Sequence, residues 1–251
     1  GVISIGNHAF TFCTNLASIT IPQGVISIRN SVFEYCSNLT SITIPHGVTS
    51  IGHLAFRFCR SLASITIPST VITIQDEAFF GCRSLSFITI PSNVISIGNC
   101  AFGGCESLTQ IFVESNNTQF VSIDGILFTK DMRILICHPS CHHNSKYDIP
   151  SSVTSISSSA FFRCKELSSV TIPQGVISIG DYAFASCSGL TSITIPQGVR
   201  SIGNYAFQLC SHLTSITISS SVTSIGLDVF DGCSSLTQIS VESNNTQFVS
   251  I

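Results

Sequence analysis

Apolar residues recur along the chain at fixed positions of a 23-residue unit that reads G-V-I-S-I-G-N-x-A-F-x-x-C-x-x-L-x-S-I-T-I-P-x. The segment L-x-S-I-T-I-P alternates apolar and polar residues and is rich in β-branched side chains, which predicts a short half-buried strand. Its proline ends the strand because proline cannot donate the next ladder hydrogen bond. G-V-I-S-I-G predicts a second short extended segment, and A-F-x-x-C predicts a single helical or 3₁₀ turn. In the first unit the constant apolar positions are Val2, Ile5, Ala9, Phe10, Cys13, Leu16, Ile19 and Ile21.

The repetition indicates how such a chain would fold. One unit buries a single apolar face, which does not offset the entropy lost when its residues become ordered, so an isolated unit would be unfolded. Stacked units bury a second face and are joined by hydrogen bonds between adjacent coils. Their strands would form a parallel ladder with a spacing of about 4.8 Å. We therefore predict a β-rich solenoid with one coil for each repeat.

The chain divides into repeats and one insertion. Five repeats occupy residues 1–115, an insert occupies 116–151, four repeats occupy 152–243, and 244–251 repeat the start of the insert. In the insert, Asp124-Gly125 is a tight-turn signal, a second hairpin is predicted around Lys130-Asp131, and Y-D-I-P restores the strand rhythm. We predict an inserted β-hairpin module within a single solenoid domain, 1–251. Because the stretch L-T-Q-I-x-V-E-S-N-N-T-Q-F-V-S-I occurs twice, we expect the chain to be a fragment of a longer array.

These motifs resemble those of a known family. L-x-x-I-x-I-P is a variant of the leucine-rich-repeat strand, and with V-x-x-I-x-x-x-A-F-x-x-C it is similar to the BspA-like leucine-rich repeats of bacterial and protist surface proteins. Arrays of that family carry similar D-G-x-L-F inserts, although the asparagine ladder of other leucine-rich repeats is missing here. The resemblance implies a leucine-rich-repeat (BspA-like) solenoid of short parallel strands. It also implies an extracellular or cell-surface location and a non-enzymatic adhesion role.

Composition and charge argue against several classes of protein. Only 9% of the residues are charged and the net charge is −3, whereas nucleic-acid binding needs a basic surface. No apolar run approaches the ~18 residues that a membrane span requires. The chain contains no nucleophile elbow, phosphate-binding loop or dinucleotide fingerprint, and its carboxylates are scattered. We therefore expect no enzyme activity and no cofactor.

Nine of the twelve cysteines recur with the repeat. In stacked coils, neighbouring cysteines would be about 5 Å apart, whereas a disulfide needs Cβ atoms about 3.8 Å apart. We interpret them as an internal ladder of thiols that pack as small apolar groups, with some pairing between coils as the alternative. Cys100 lies at a variable outward position and is a candidate reactive thiol.

One segment, C-H-P-S-C-H-H, is rich in residues that bind metals. Cys137, His138, Cys141, His142 and His143 are suitable ligand types, but their spacing is not that of a common zinc site. We interpret the segment as an ordinary exposed loop and predict no metal. A metal site and a Cys137–Cys141 disulfide are the weaker alternatives.

The side chains that flank the inward isoleucines point outward, because side chains alternate along a strand. Most are Ser or Thr, which suit an exposed strand and keep it soluble. The alternative is a flat polar recognition face whose anchors are Phe87 and Phe112, since aromatic residues often dominate binding. A regular Ser-x-Thr array is also similar to ice-binding solenoids, although curvature would count against that function. The candidate binding face comprises Ser18, Thr20, Ser41, Thr43, Ser64, Thr66, Phe87, Thr89, Gln110, Phe112, Ser169, Thr171, Ser192, Thr194, Ser215 and Thr217.

Three sequons provide candidate N-glycosylation sites if the chain is secreted by a eukaryote. They lie at Asn116, Asn244 and Asn38, and Asn38 is the weakest because it precedes the apolar repeat position Leu39. The function predicted from the sequence is a non-enzymatic surface or secreted module that binds an extracellular protein or glycan. The alternative is a structural protein that self-assembles end to end or side by side, through the ends or exposed strand edges of the solenoid, into filaments or layers.

Overall fold

The computed structural model describes residues 1–245, so the predicted start of a second insert is described only as far as residue 245. It contains two compact units, Gly1–Lys130 and Asp131–Ile251, and we treat each by itself. The prediction of one solenoid domain over 1–251 stays a prediction. In the described part of both units the secondary structure consists of strands and turns. No described segment forms a helix long and apolar enough to cross a bilayer.

Unit 1, Gly1–Lys130, is a stack of coils that contribute strands to two parallel ladders. We call the ladder built from S-I-T-I segments the face ladder and that built from V-I-S-I segments the short ladder. The strands of unit 1 are β1 Ser18–Thr20, β2 Ser27–Ile28, β3 Ser41–Thr43, β4 Ser50–Ile51, β5 Thr73–Ile74, β6 Phe87–Ile90, β7 Ser96–Ile97, β8 Gln110–Val113, β9 Phe120–Ile123 and β10 Ile126–Thr129. The face ladder pairs β1 with β3 and β6 with β8, and the short ladder runs β2-β4-β5-β7.

Unit 2, Asp131–Ile251, repeats the same two ladders. Its strands are β11 Ile134–Cys137, β12 Lys146–Asp148, β13 Ser155–Ile156, β14 Ser169–Thr171, β15 Ser178–Ile179, β16 Ser192–Ile195, β17 Ser201–Ile202, β18 Ser215–Ile218, β19 Ser224–Ile225 and β20 Gln238–Val241. The face ladder of unit 2 consists of two parts, β12-β14 and β16-β18-β20, and the short ladder runs β11-β13-β15-β17-β19.

The register of the ladders equals the sequence repeat. Ile19 lies opposite Ile42 in unit 1, and Ile193 lies opposite Ile216 in unit 2. Because side chains alternate between the two sides of a strand, this register keeps the isoleucines inside along a whole ladder and the Ser and Thr side chains outside. The predicted solenoid of short parallel strands is therefore confirmed.

The A-F-x-x-C segment is not the helical or 3₁₀ turn that the sequence predicts. In the first coil the amides of Phe10 and Phe12 donate to the carbonyls of Val32 and Glu34 in the next coil, at 2.9 and 2.8 Å. Two residues of the turn, His8 and Phe12, have a φ of 61°, which interrupts the run of α-region residues that a helix needs. The turns therefore form a third set of hydrogen bonds between coils, and this requirement overrides local helix formation.

The interior contains a column of phenylalanine rings and a column of thiols. Phe56 lies between Phe33 and Phe79 with centroid separations of 5.4 Å on both sides and nearly parallel planes. The thiol of Cys59 donates to the carbonyl of Phe33 at 3.1 Å, and the cysteines of other repeats make the same contact. All twelve cysteines lie in the described residues, none is in a disulfide, and eight are buried. The repeat thiols from Cys36 onward thus form the predicted internal ladder, in which each bonds a main-chain carbonyl of the coil before it.

The first half of the insert belongs to unit 1 and is the predicted hairpin. Strands β9 and β10 pair antiparallel, with Ile123 opposite Ile126, across a turn in which Asp124 and Gly125 have φ values of 50° and 80°. The amide of Ile111 in β8 donates to the carbonyl of Gly125 at 2.8 Å. The hairpin is thereby attached to the face ladder of unit 1.

The second half of the insert belongs to unit 2 and forms a shortened coil. Leu135 of β11 lies opposite Ile156, and Tyr147 of β12 lies opposite Val170, so Y-D-I-P returns to the ladder as predicted. The amide of His138 donates to the carbonyl of Ala160 at 2.7 Å, which is the contact that the repeat phenylalanine makes elsewhere. The segment C-H-P-S-C therefore takes the place of A-F-x-x-C.

The interpretation of this segment as an ordinary exposed loop is wrong for three of its five metal-type residues. Cys137, His138 and His142 are buried, whereas Cys141 and His143 are exposed. Burial follows from the coil itself, because His138 enters the column of rings and stacks on Phe161 with a centroid separation of 5.0 Å.

Candidate binding face

The outward side of the face ladder carries the predicted binding residues in both units. In unit 1 all ten of them are exposed. In unit 2 Thr171, Ser192 and Thr194 are exposed, and Ser169, Ser215 and Thr217 are half-buried. In-register pairing fixes these side chains one coil apart in straight rows, as for Thr194 opposite Thr217. The strands thus present a regular array of hydroxyl groups to solvent.

The hydroxyls of the predicted face make no hydrogen bond within the part of the chain that the structure describes. The residue just before the strand behaves differently. The Oγ1 atoms of Thr40, Thr109 and Thr214 donate to main-chain carbonyls of the preceding coil at 3.3, 3.0 and 3.1 Å. One row of hydroxyls therefore joins the coils, and the adjacent rows remain available to a ligand.

Phe87 and Phe112 form an apolar patch within this polar face. Their side chains are 49% and 47% exposed, and the rings meet edge to face with a centroid separation of 6.3 Å. In the pairing of β6 with β8, Phe87 lies opposite Gln110 and Phe112 opposite Thr89. Two exposed rings beside an amide and a hydroxyl have the composition of a binding hot spot.

A groove of about 310 Å³ opens in the face of unit 2, between β14 and β16. Among the described residues no ladder pairing joins these two strands, although the amide of Thr191 still donates to the carbonyl of Ser168 at 3.4 Å just before them. The two coils therefore stay stacked although no ladder hydrogen bonds join these two strands. Its lining residues are the buried Val170, Ile172 and Ile193 together with Ser169, Thr171, Gln174, Ser192, Thr194 and Pro196.

The cluster around His138 does not form a metal-binding group. No three His, Cys, Asp or Glu side chains within residues 1–245 are arranged to hold a metal ion. The Nδ1 atom of His138 lies 3.0 Å from the carbonyl of Pro139 and 3.5 Å from the Sγ atom of Cys164, and the buried Nε2 atom has no hydrogen-bond partner. Burial lowers the pKa of His138 to about 4. The ring is therefore neutral near pH 7, with Nδ1 protonated and donating to Pro139.

The predicted sequons lie on the surface. Asn116, Asn244 and Asn38 are all exposed. The second asparagine of each N-N-T turns inward instead, because Asn117 donates to two carbonyls of the preceding coils at 2.8 and 3.0 Å, and Asn245 makes the equivalent contacts at 3.2 and 3.1 Å. The two stretches thus begin in the same way, and modification of the outward asparagines stays a prediction.

The repeat matches a known sequence family. The BspA type leucine-rich repeat region is found in six copies over residues 2–128 and 137–250. The chain therefore belongs to the BspA-type leucine-rich repeat family, as the resemblance implies. No curated protein matches the chain.

Solved structures of bacterial proteins share the fold. A leucine-rich cell surface protein of Faecalibacterium prausnitzii is 32% identical, with a TM-score of 0.79, and the match covers 96% of this chain and 70% of that one. A leucine-rich repeat protein of Eubacterium ventriosum is 29% identical, with a TM-score of 0.80, over 91% of this chain and 67% of that one. The pneumococcal vaccine antigen PcpA, at 24% identity and a TM-score of 0.72 over 91% of this chain and 69% of that one, shares the fold alone.

Proposed function

We propose that the chain is a non-enzymatic binding module that acts outside the cell or at its surface and uses the outward side of the face ladder to hold an extracellular partner. One observation carries the proposal. Most hydroxyls of this face are solvent-exposed and none makes a hydrogen bond within the described residues, whereas the hydroxyls of the adjacent row donate to carbonyls of the preceding coil. If the hydroxyls served only solubility, there would be no reason for one row to bond the preceding coil and the outward row to make no hydrogen bond. A hydroxyl without a hydrogen bond inside the protein can bond a partner.

Binding by such a face would be additive. Each strand of the face ladder offers one weak polar contact. Because the register is fixed, a long partner can contact many strands at once. Linked weak contacts can exceed the affinity of a single one by ~10²–10⁴. Phe87 and Phe112 would supply an apolar contact that the strands with only Ser and Thr on their outward side lack. The extracellular setting is supported by the similar Faecalibacterium protein, which is described as a cell surface protein.

The proposal is tested by measuring binding of the purified chain to a panel of extracellular matrix proteins, immobilised glycans and whole cells. We expect at least one partner to bind and the Phe87→Ser, Phe112→Ser double variant to bind it at least tenfold more weakly, as for a hot spot. Leu227→Ser is the matched control because Leu227 is 69% exposed but lies outside the face. Absence of binding to every partner, or equal loss in the control, would refute the proposal.

A second candidate, lateral self-assembly, is favoured by a row of exposed isoleucines beside the short ladder of unit 1. Ile3, Ile26, Ile72 and Ile95 are 71%, 65%, 42% and 57% exposed. Exposed apolar rows of this kind often mark association sites. Sedimentation over a wide concentration range tests it, since assembly predicts larger species that Ile26→Ser with Ile95→Ser removes. A monomer at every concentration would exclude this candidate.

A further inference from the structure

We propose that the groove between β14 and β16 binds a neutral oligosaccharide. The inference rests on the proposed function and specifies the ligand of one part of the same face. Its starting point is the interruption of the face ladder at this place, which converts a flat surface into a concave one. Concave sites with an apolar lining and a few polar groups are the usual form of small-ligand sites, and ~300 Å³ is the lower end of their volumes.

The chemistry of the lining matches a sugar. Thr171, Ser192 and Thr194 place hydroxyls on the rim, and none of these hydroxyls is bonded within the described chain. The Oε1 atom of Gln174 accepts the amide of Gln197 at 3.2 Å, which orients the side chain and leaves its amide nitrogen to donate. A sugar ring offers hydroxyls at its edge and C–H groups on its face, and the latter would pack against the apolar atoms that line the groove.

The absence of charge in the lining argues against ionic ligands. No Asp, Glu, Lys or Arg lines the groove. Lys146 and Asp148 of β12 lie opposite Ser169 and Thr171 of β14, outside the groove, and have opposite signs. An anionic glycan or a charged peptide would lose its hydration without gaining an ionic partner, which is costly. A neutral ligand has no such cost.

The spacing of the strands argues against a peptide inserted as an additional strand. Neighbouring strands lie about 4.8 Å apart, so a strand placed between two others would require them to be about 9.6 Å apart. Residue pairs of β14 and β16 lie within 8 Å of each other, measured between Cα atoms. The gap is therefore too narrow for a strand, and a ligand must lie in the groove rather than complete the sheet.

Saturation-transfer NMR and calorimetry with neutral oligosaccharides test the proposal. The probes are tetramers of α- and β-linked glucose, of mannose and of N-acetylglucosamine, with a uronic-acid oligomer and an uncharged Ser/Asn-rich peptide as competitors. We expect at least one neutral tetramer to bind. The Thr171→Val, Thr194→Val double variant, which removes two hydroxyls at constant shape, should bind it at least tenfold more weakly. Thr217→Val is the matched control, because Thr217 lies opposite Thr194 but outside the groove.

Three outcomes would overturn the proposal: no binding of any neutral tetramer at millimolar concentration, equal loss in the Thr217→Val control, or tighter binding of the acidic oligomer or the peptide. Thermal melting of each variant separates loss of the site from loss of the fold. If partner binding still depends on Phe87 and Phe112 while no sugar binds, the groove inference fails and the proposed function stands. If a sugar binds in the groove while the double Phe variant binds its partner normally, the inference stands and the aromatic hot spot fails.

Discussion

At the scale of single residues, His138 is the position at which the repeat departs from its own pattern. Its ring stacks on Phe161 and also contacts Tyr147 and His142, at centroid separations of 5.0, 5.0 and 4.9 Å. Burial lowers the pKa of His138 from 6.5 to about 4, so the unfolded chain binds the proton more readily than the folded one. The neutral His138 ring therefore makes its full contribution to the free energy of unfolding above pH 6.5. This contribution is lost as the pH falls through about 4.

We predict that His138→Phe removes this part of the acid sensitivity. When the pH falls from 7.5 to 4.5, the lowered pKa of His138 reduces the free energy of unfolding of the wild type by about 2.5 kcal/mol. The variant lacks this group, so its free energy of unfolding should fall by about that much less. Urea titrations at the two pH values measure it. His143→Phe is the control, because His143 is exposed and its replacement should leave the wild-type loss unchanged. Equal losses for the wild type and His138→Phe would contradict the prediction.

At the scale of elements, the turn before each repeat cysteine requires a positive φ at its last residue. Gly81, with φ of 72°, occupies the place that Phe58 has one coil earlier. A Cβ atom at Gly81 would lie 2.5 Å from the ring of Phe58, and the left-handed conformation itself costs about 1–2 kcal/mol for residues other than glycine. We predict that Gly81→Ala destabilises the fold by at least about 1 kcal/mol, measured by chemical denaturation.

Gly175→Ala is the control for that prediction. Gly175 has no positive φ, and the nearest atom to a Cβ placed there is 3.5 Å away. Alanine restricts the unfolded chain, so this change should be neutral or stabilise by about 0.4–1 kcal/mol. If both substitutions changed stability equally, the turn geometry would not be the cause.

The strands were predictable and the turns were not, for a physical reason. The inward direction of the Ile19 and Ile42 side chains follows from the alternation of apolar and polar residues along each strand. Nine copies of one pattern then fix the register between strands. Whether A-F-x-x-C becomes helical depends on where the amide of Phe10 donates, which is decided by the next coil. His138 was predicted to lie in an exposed loop because the segment was not aligned with the repeat, although its H-x-x-C stands 23 residues before the F-x-x-C of Phe161 and Cys164.

The groove has no signal in the sequence. The coils that form it read S-V-T-I and S-I-T-I, and the next coil also reads S-I-T-I without such an opening. Whether two neighbouring strands pair depends on how their coils pack against each other. The sequence of a single repeat does not determine that packing. The outward direction of Thr171 and Thr194 was predictable, but the concavity between them required the structure.

At the scale of the whole molecule, the reactivity of the thiols shows which coils open. Eight cysteines are buried, and Cys13 and Cys141 are exposed. Burial raises the pKa of Cys36 to about 11 and that of Cys105 to about 12. Because the thiolate is the reactive form, a ladder thiol is protected both by lack of access and by lack of ionisation.

We therefore predict two classes of thiol in the native protein. At pH 8 an excess of iodoacetamide should modify Cys13 and Cys141 first, because both are exposed. The buried thiols should react only when their coils open, at rates set by local unfolding, and urea should release them. Mass spectrometry of digested samples assigns each site. Native-state labelling of Cys59 or Cys82 as fast as that of Cys141 would show that the ladder is not the closed interior on which this fold depends.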